Sequence, residues 1–210
     1  MKRIFVICLF FPLISCSQTS SVFNLQNSIP LEWGKNCISE MDCFYLSLDS
    51  VLVFDDDDIY DYNYNLNYSY GNNEKQIVAS GDFDDLLYGS TLNSFRCEKD
   101  NSNIVFLKIH YEYLATFKVY YLKNGKLLMI GDWGINTPLP SKKMLDNLDY
   151  SIEHIRIHQK NDVIEFSFIK DVQFKIIKEN NNFDDWGTFK AGELIVSFNT
   201  VDGLLKRIDK

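Results

Sequence analysis

A side-chain period of two dominates this chain from residue 43 onward, and it constrains the fold more than any other feature. Tyr60, Tyr62, Tyr64, Leu66, Tyr68 and Tyr70 alternate with Asp, Asn and Ser over eleven residues. Ile109, Tyr111, Tyr113, Ala115, Phe117, Val119 and Tyr121 alternate with Lys108, His110, Glu112, Thr116 and Lys118, which predicts one long strand. Successive side chains of a β-strand point to opposite faces, so both runs read as half-buried strands. The second leads into Lys123-Asn124-Gly125-Lys126 and then an apolar stretch over 127–130. Asn-Gly between two β-rich runs predicts a hairpin, because a type I′ turn needs positive φ at both central positions. Ile164, Phe166 and Phe168, followed by Val172, Phe174 and Ile176, suggest a second hairpin around Lys170-Asp171. Residues 193–198 and 204–208 suggest a third, across Val201-Asp202-Gly203.

Helical signals are few. Ser141 can cap a short helix carrying Met144, Leu145 and Leu148, and residues 82–87 can form one turn. The expectation is therefore a mostly β, antiparallel chain of eight or more strands with one or two short helices. Consecutive hairpins favour a meander sheet, sandwich or partly closed barrel over any βαβ arrangement. At 46% hydrophobic and 24% charged, the 210 residues can bury a core, which excludes wholesale disorder. The formal charge of -8 argues against nucleic acid as a partner, since phosphate affinity rests on clustered Lys and Arg.

The N-terminus carries an address. Lys2 and Arg3 precede an apolar run over 4–14, interrupted only by Pro12. That run is too short for a bilayer-spanning helix but suits the core of a secretion signal. Leu13-Ile14-Ser15-Cys16 follows: an aliphatic residue, a second apolar one and a small one before a cysteine. Head, apolar run and box together resemble the signal and lipobox of bacterial lipoproteins, over residues 1–16 only. The resemblance implies cleavage before Cys16, acylation of Cys16, and anchoring by several acyl chains in an envelope membrane. Ser17 in place of the Asp that commonly retains such proteins at the inner membrane implies an outer-membrane, periplasm-facing location in a Gram-negative host. Residues 1–15 are then the signal peptide, 16–30 the lipidated cysteine and a polar flexible tether, and 31–210 a single β-rich domain. Cleavage leaves 19 basic and 29 acidic side chains. So acidic a body is expected to stand off from an anionic bilayer instead of lying on it.

Cys8 leaves with the signal and Cys16 is acylated, so Cys37, Cys43 and Cys97 remain for one bridge and one thiol. Three pairings are open. Cys37 with Cys43 would close a small loop, contributing about 2 kcal/mol in the chain-entropy model.

Chemical motifs are scarce. No nucleophile elbow, zinc helix, P-loop or dinucleotide fingerprint occurs, and no cofactor is implied. His154 and His158 flank Arg156, and strand alternation spreads the two histidines about 13 Å apart, too far to share one metal ion. His110 beside Glu112 lacks an identifiable nucleophile. Every tryptophan follows an acid and precedes a glycine, at Trp33, Trp133 and Trp186, a context expected of rings that close strand ends.

These observations lean away from an enzyme and towards a lipid-anchored, non-catalytic domain that binds a protein with a basic surface, for instance an immunity-type protein that neutralises an incoming toxin. Asp55, Asp56, Asp57 and Asp58 would supply the charge, with Tyr60, Tyr62 and Tyr64 as anchors. Weak calcium binding at the same aspartates is a further reading, though no glycine shapes the loop. The alternatives are an envelope hydrolase using carboxylates among Asp84, Asp85, Asp184 and Asp185, or a glycan- or ligand-binding module built on the tryptophans.

Overall fold

The computed structural model describes residues 20–53, 60–73, 75–82, 89–111, 114–138, 150–177 and 186–209. The chain is nearly all β and antiparallel throughout. Its first five strands are β1 (Ser20–Pro30), β2 (Gly34–Cys37), β3 (Asp42–Val53), β4 (Tyr60–Tyr70) and β5 (Gln76–Asp82). Then come β6 (Thr91–Cys97), β7 (Asn103–Tyr111), β8 (Leu114–Lys123), β9 (Lys126–Asn136) and β10 (Ile155–Lys160). The last are β11 (Val163–Phe168), β12 (Val172–Ile177), β13 (Gly187–Phe189), β14 (Leu194–Asn199) and β15 (Leu205–Asp209). The helical content among the described residues is one 3-10 turn, Ile152–His154. The helices expected at Ser141 and over 82–87 lie largely outside those residues.

β2 to β5 form a four-stranded sheet in the order β2-β3-β4-β5. The other strands form one curled sheet of eleven, in the order β13-β12-β9-β8-β7-β6-β1-β10-β11-β14-β15. Its inner face closes on Trp133, whose ring meets Phe166 at 4.9 Å, Phe174 at 5.6 Å and Phe106 at 5.7 Å, all edge-on. Edge-to-face packing suits the aromatic quadrupole. The two margins of the sheet come close enough for Arg207 on β15 to sit 5.6 Å from the Phe189 ring on β13.

The outer face of β6 to β8 is buried as well. Leu92, Val105, Leu107, Ile109, Tyr120 and Leu122 pack there against Phe44, Leu46, Tyr64, Leu66 and Tyr68 of the small sheet. Ile104, Val105, Phe106 and Leu107 are all at most 1% exposed, as a strand sandwiched between two cores requires. The two cores share these strands.

The Asn124-Gly125 hairpin joins β8 and β9 as expected, with φ of 51° and 76°. The β14–β15 hairpin across 201–203 forms too. Three expectations are corrected. The single strand expected over 109–121 is two, β7 and β8, which fold back with Tyr111 opposite Leu114. The reversal swaps faces: Ile109 enters the outer core, whereas Phe117 enters the inner one. The hairpin expected at Lys170-Asp171 is a crossover. β11 pairs with β10 and β14, and β12 with β9 and β13, so the chain crosses between arms of the curled sheet. Neither Lys170 nor Asp171 has the positive φ that a two-residue turn requires.

The third correction is the tether. Residues 20–30 are β1, an interior strand between β6 and β10. Phe23 and Leu25 turn into the inner core, whereas beyond a bulge between Leu25 and Asn27 the faces exchange and Ile29 packs with the small sheet's core.

Candidate functional site

The small sheet presents the most distinctive open surface. β4 has Tyr64, Leu66 and Tyr68 facing the large sheet, at 2%, 0% and 3% exposure. Tyr64 is therefore a core residue, not the exposed anchor expected of it. Tyr68 donates from its hydroxyl to Asp42 Oδ1 at 2.7 Å, while Ser39 Oγ donates to Asp42 Oδ2 at 2.8 Å. Burial, reinforced by the Asp42 carboxylate, pushes the Tyr68 phenol far above its ordinary range, so it stays a neutral donor. Burial likewise raises Tyr120, whose hydroxyl crosses between the sheets to the Val78 carbonyl at 2.8 Å.

Strand parity turns the intervening residues outward. Asn63, Asn65 and Asn67 line the solvent side of β4, with Tyr45 and Ser47 on β3 and Ile77 on β5. Ile77 is 61% exposed and lies opposite Asn67, which also faces Tyr45. Lys75 holds its ammonium 3.9 Å from the Tyr45 ring centroid, and Lys35 stands 6.0 Å from the same ring. This face offers amide donors and acceptors, a hydroxyl, one aromatic and one aliphatic group on a sheet whose reverse side is packed. Chemically it can form many hydrogen bonds at small rearrangement cost, which suits recognition better than bond-making.

Two hollows among the described residues lie away from this outer face. One, of about 500 Å³, lies beside the β11–β12 crossover and is lined by Tyr150, Ser151, His154, Lys170 and Asp171 among others. The Tyr150 hydroxyl is occupied by the Lys170 backbone, donating to its carbonyl at 3.2 Å and accepting from its amide at 3.3 Å. His154 stacks edge-on to Tyr150 at 5.6 Å, and desolvation with the Lys170 charge lowers its pKa. Asp171 is held by Lys190 at 2.8 Å, which keeps its carboxyl below the usual range. The hollow has no activated nucleophile among its described residues. The other, about 240 Å³ between the sheets, is polar and lined by Asp42, Arg96, Asn103 and Lys123 among others.

His158 is exposed on β10 opposite Glu165, with Ile155 and Ile157 buried on the other face. Among the described residues no group of three or more His, Cys, Asp or Glu could hold a metal ion. Cys37 and Cys43 are disulfide-bonded across β2 and β3, and Cys97 is a buried free thiol. The tryptophans do not converge on a cleft. Trp133 is fully buried, Trp33 is 49% exposed, and Trp186 lies against Gly134, where a Cβ would come within 2.6 Å of its ring. Lys175 sits 4.8 Å over that ring, and desolvation lowers its pKa.

Cys16, Asp55 to Asp58, Asp84, Asp85, Asp184 and Asp185 lie outside the described residues. So do the side chains of Tyr60, Tyr62 and His110. The contact residues expected among the tyrosines of β4 give way to the asparagines between them. The alternation was visible; which parity faced the core was not. Comparison with family models, with curated proteins and with solved structures finds no match.

Proposed function

We propose that this chain is a lipid-anchored envelope protein whose domain binds a protein partner through the outer face of the small sheet, without catalysis. The observation that supports this most is the composition of that face: Asn63, Asn65, Asn67, Ser47, Tyr45 and Ile77 outward on a sheet sealed behind. Tyr, Ser and Asn are the residue types on which adaptable recognition surfaces are built. The partner has a basic surface, drawn by the acid surplus and by Asp55 to Asp58, which lie in sequence between β3 and β4. An immunity-type role, in which the bound partner is an incoming toxin, fits an anchored, acidic, non-catalytic domain.

The test is capture by the chain from Ser17 onward, against envelope and competitor-cell extracts at low and high salt. A stoichiometric partner is expected. Asp55→Lys through Asp58→Lys together should weaken it about 10-fold at low salt and flatten the salt dependence. Asn65→Arg should weaken it at both salt concentrations. If neither set of changes alters the affinity, this face is not the binding site.

A further inference from the structure

β1 starts at Ser20, only four residues after Cys16. Even fully extended, four residues span about 14 Å, so an acylated Cys16 holds one particular end of the large sheet at the membrane. The antiparallel register defines what else lies at that end. Ser20 pairs with Lys160 and Phe23 with Cys97, so the turns at 98–102, 124–125, 161–162 and 200–204 all point the same way as the start of β1.

The 200–204 turn carries two exposed aliphatic side chains, Val201 at 76% and Leu204 at 49%. It lies three strands from β1, roughly 15 Å away at ordinary strand spacing. Charge at this end departs from that of the whole chain. Lys99, Lys126, Lys160 and Lys206 are exposed here, and Asp100 is bound by Lys123 at 2.6 Å. Against these lysines stand Glu98, Asp162 and Asp202, with Glu40 and Asp42 of the small sheet near the 98–102 and 124–125 turns, so among the described residues this end is close to balanced. Aliphatic tips with a lysine fringe suit the headgroup zone of an anionic bilayer, where each nearby lysine is attracted and acids are repelled.

We infer that the protein docks end-on to its own membrane, with Val201 and Leu204 entering the headgroup layer and the acidic bulk of the domain held away. This rests on the lipid-anchor reading above and adds a fixed orientation to it. Anchored this way, the domain would be a post, not a body swinging on a leash, because β1 leaves almost no tether.

The test uses the full chain, purified with its anchor and reconstituted into phosphatidylethanolamine–phosphatidylglycerol vesicles. An environment-sensitive fluorophore is placed at Val201→Cys or Leu204→Cys, and for contrast at Glu193→Cys beyond the other end of β14. Cys37 and Cys43 are bonded and Cys97 is buried, which directs labelling to the new thiol. Mass spectrometry reports acylation of Cys16. An acylated protein whose probes at 201 and 204 shift blue and are quenched by spin-labelled lipid, with the probe at 193 unaffected, would support the proposal. An acylated, vesicle-bound protein with unquenched probes at 201 and 204, or equal quenching at both ends, overturns the docking and leaves the anchor standing. A chain that carries no acyl group and does not bind vesicles overturns the anchor reading and the docking with it.

Discussion

The two sheets solve the burial problem in opposite ways. The large sheet curls and buries its inner face against itself, around Trp133, Phe106, Phe166 and Phe174. The small sheet cannot curl on four strands, so it borrows the outer face of β6 to β8 for its core. A self-closed sheet needs no partner to persist, whereas a borrowed core exists only while its host strands are in place. The difference teaches where adaptation is cheap. The small sheet leaves its outer face free of folding duty, and that is where the amide-rich surface lies.

The largest effect is expected at the centre of the self-closed core. Trp133→Ala should cost about 3–5 kcal/mol and remove the fold as a whole, because the small sheet depends on strands that the inner core holds. Denaturant unfolding should show one transition for both sheets. Survival of protection from hydrogen exchange in β3 and β4 after loss of the large sheet would break the comparison. Trp133 Nε1 finds no acceptor among the described residues. Trp133→Phe removes that orphaned donor with less loss of volume, so it should cost less than Ala.

Phe44→Ala, in the borrowed core, should cost about 3–4 kcal/mol, but the damage should be one-sided. Exchange protection should fall in β2 to β5 and persist in β10, β11 and β14. Equal loss in both sheets would mean that the cores stabilise each other and that the dependence runs both ways.

Replacing Cys37 and Cys43 by Ser sharpens the same point at smaller scale. The bridge closes a short loop between β2 and β3, so its loss should cost about 2 kcal/mol, confined to the small sheet. The expected readout is lowered exchange protection around 34–46 with β8 and β9 unchanged.

How much of this was legible in the sequence depends on whether the signal was local. Asn124-Gly125 could be read because a two-residue turn of positive φ leaves few alternatives. Asn161, at φ 55° between β10 and β11, was an equally usable signal. Lys170-Asp171 lay between two alternating runs just as a turn would, but the pairing of β12 with β9 is decided some forty residues away. β1 was obscured by Ser, Asn and Gln at its exposed positions and by the bulge that shifts its register. In β4 the alternation was plain, yet both parities held plausible contact residues. Only the neighbouring sheet shows that Tyr64 and Tyr68 face inward and Asn65 and Asn67 outward. Fold class was therefore readable from period alone, while the choice of face belonged to tertiary packing.

The smallest effect is expected at one end of the large sheet. Asp100, in the turn between β6 and β7, accepts hydrogen bonds from Lys123 Nζ at 2.6 Å and Ser102 Oγ at 2.6 Å. Burial pushes its carboxyl upward, but Lys123 and Ser102 outweigh that and draw it down to about 2. The folded chain thus binds this proton less readily than the unfolded chain does. Its contribution is complete above the ordinary carboxyl range and fades as pH falls from about 4 towards 2. With both partners reached by solvent, it should be worth about 1 kcal/mol. Asp100→Asn should remove this part of the acid sensitivity and lower stability at pH 7 by a similar amount, measured by urea unfolding across pH 2–7. Since the turn belongs to the large sheet, the loss should leave small-sheet protection below the global limit unchanged. A pH dependence that Asp100→Asn does not alter would place the acid sensitivity on other carboxylates.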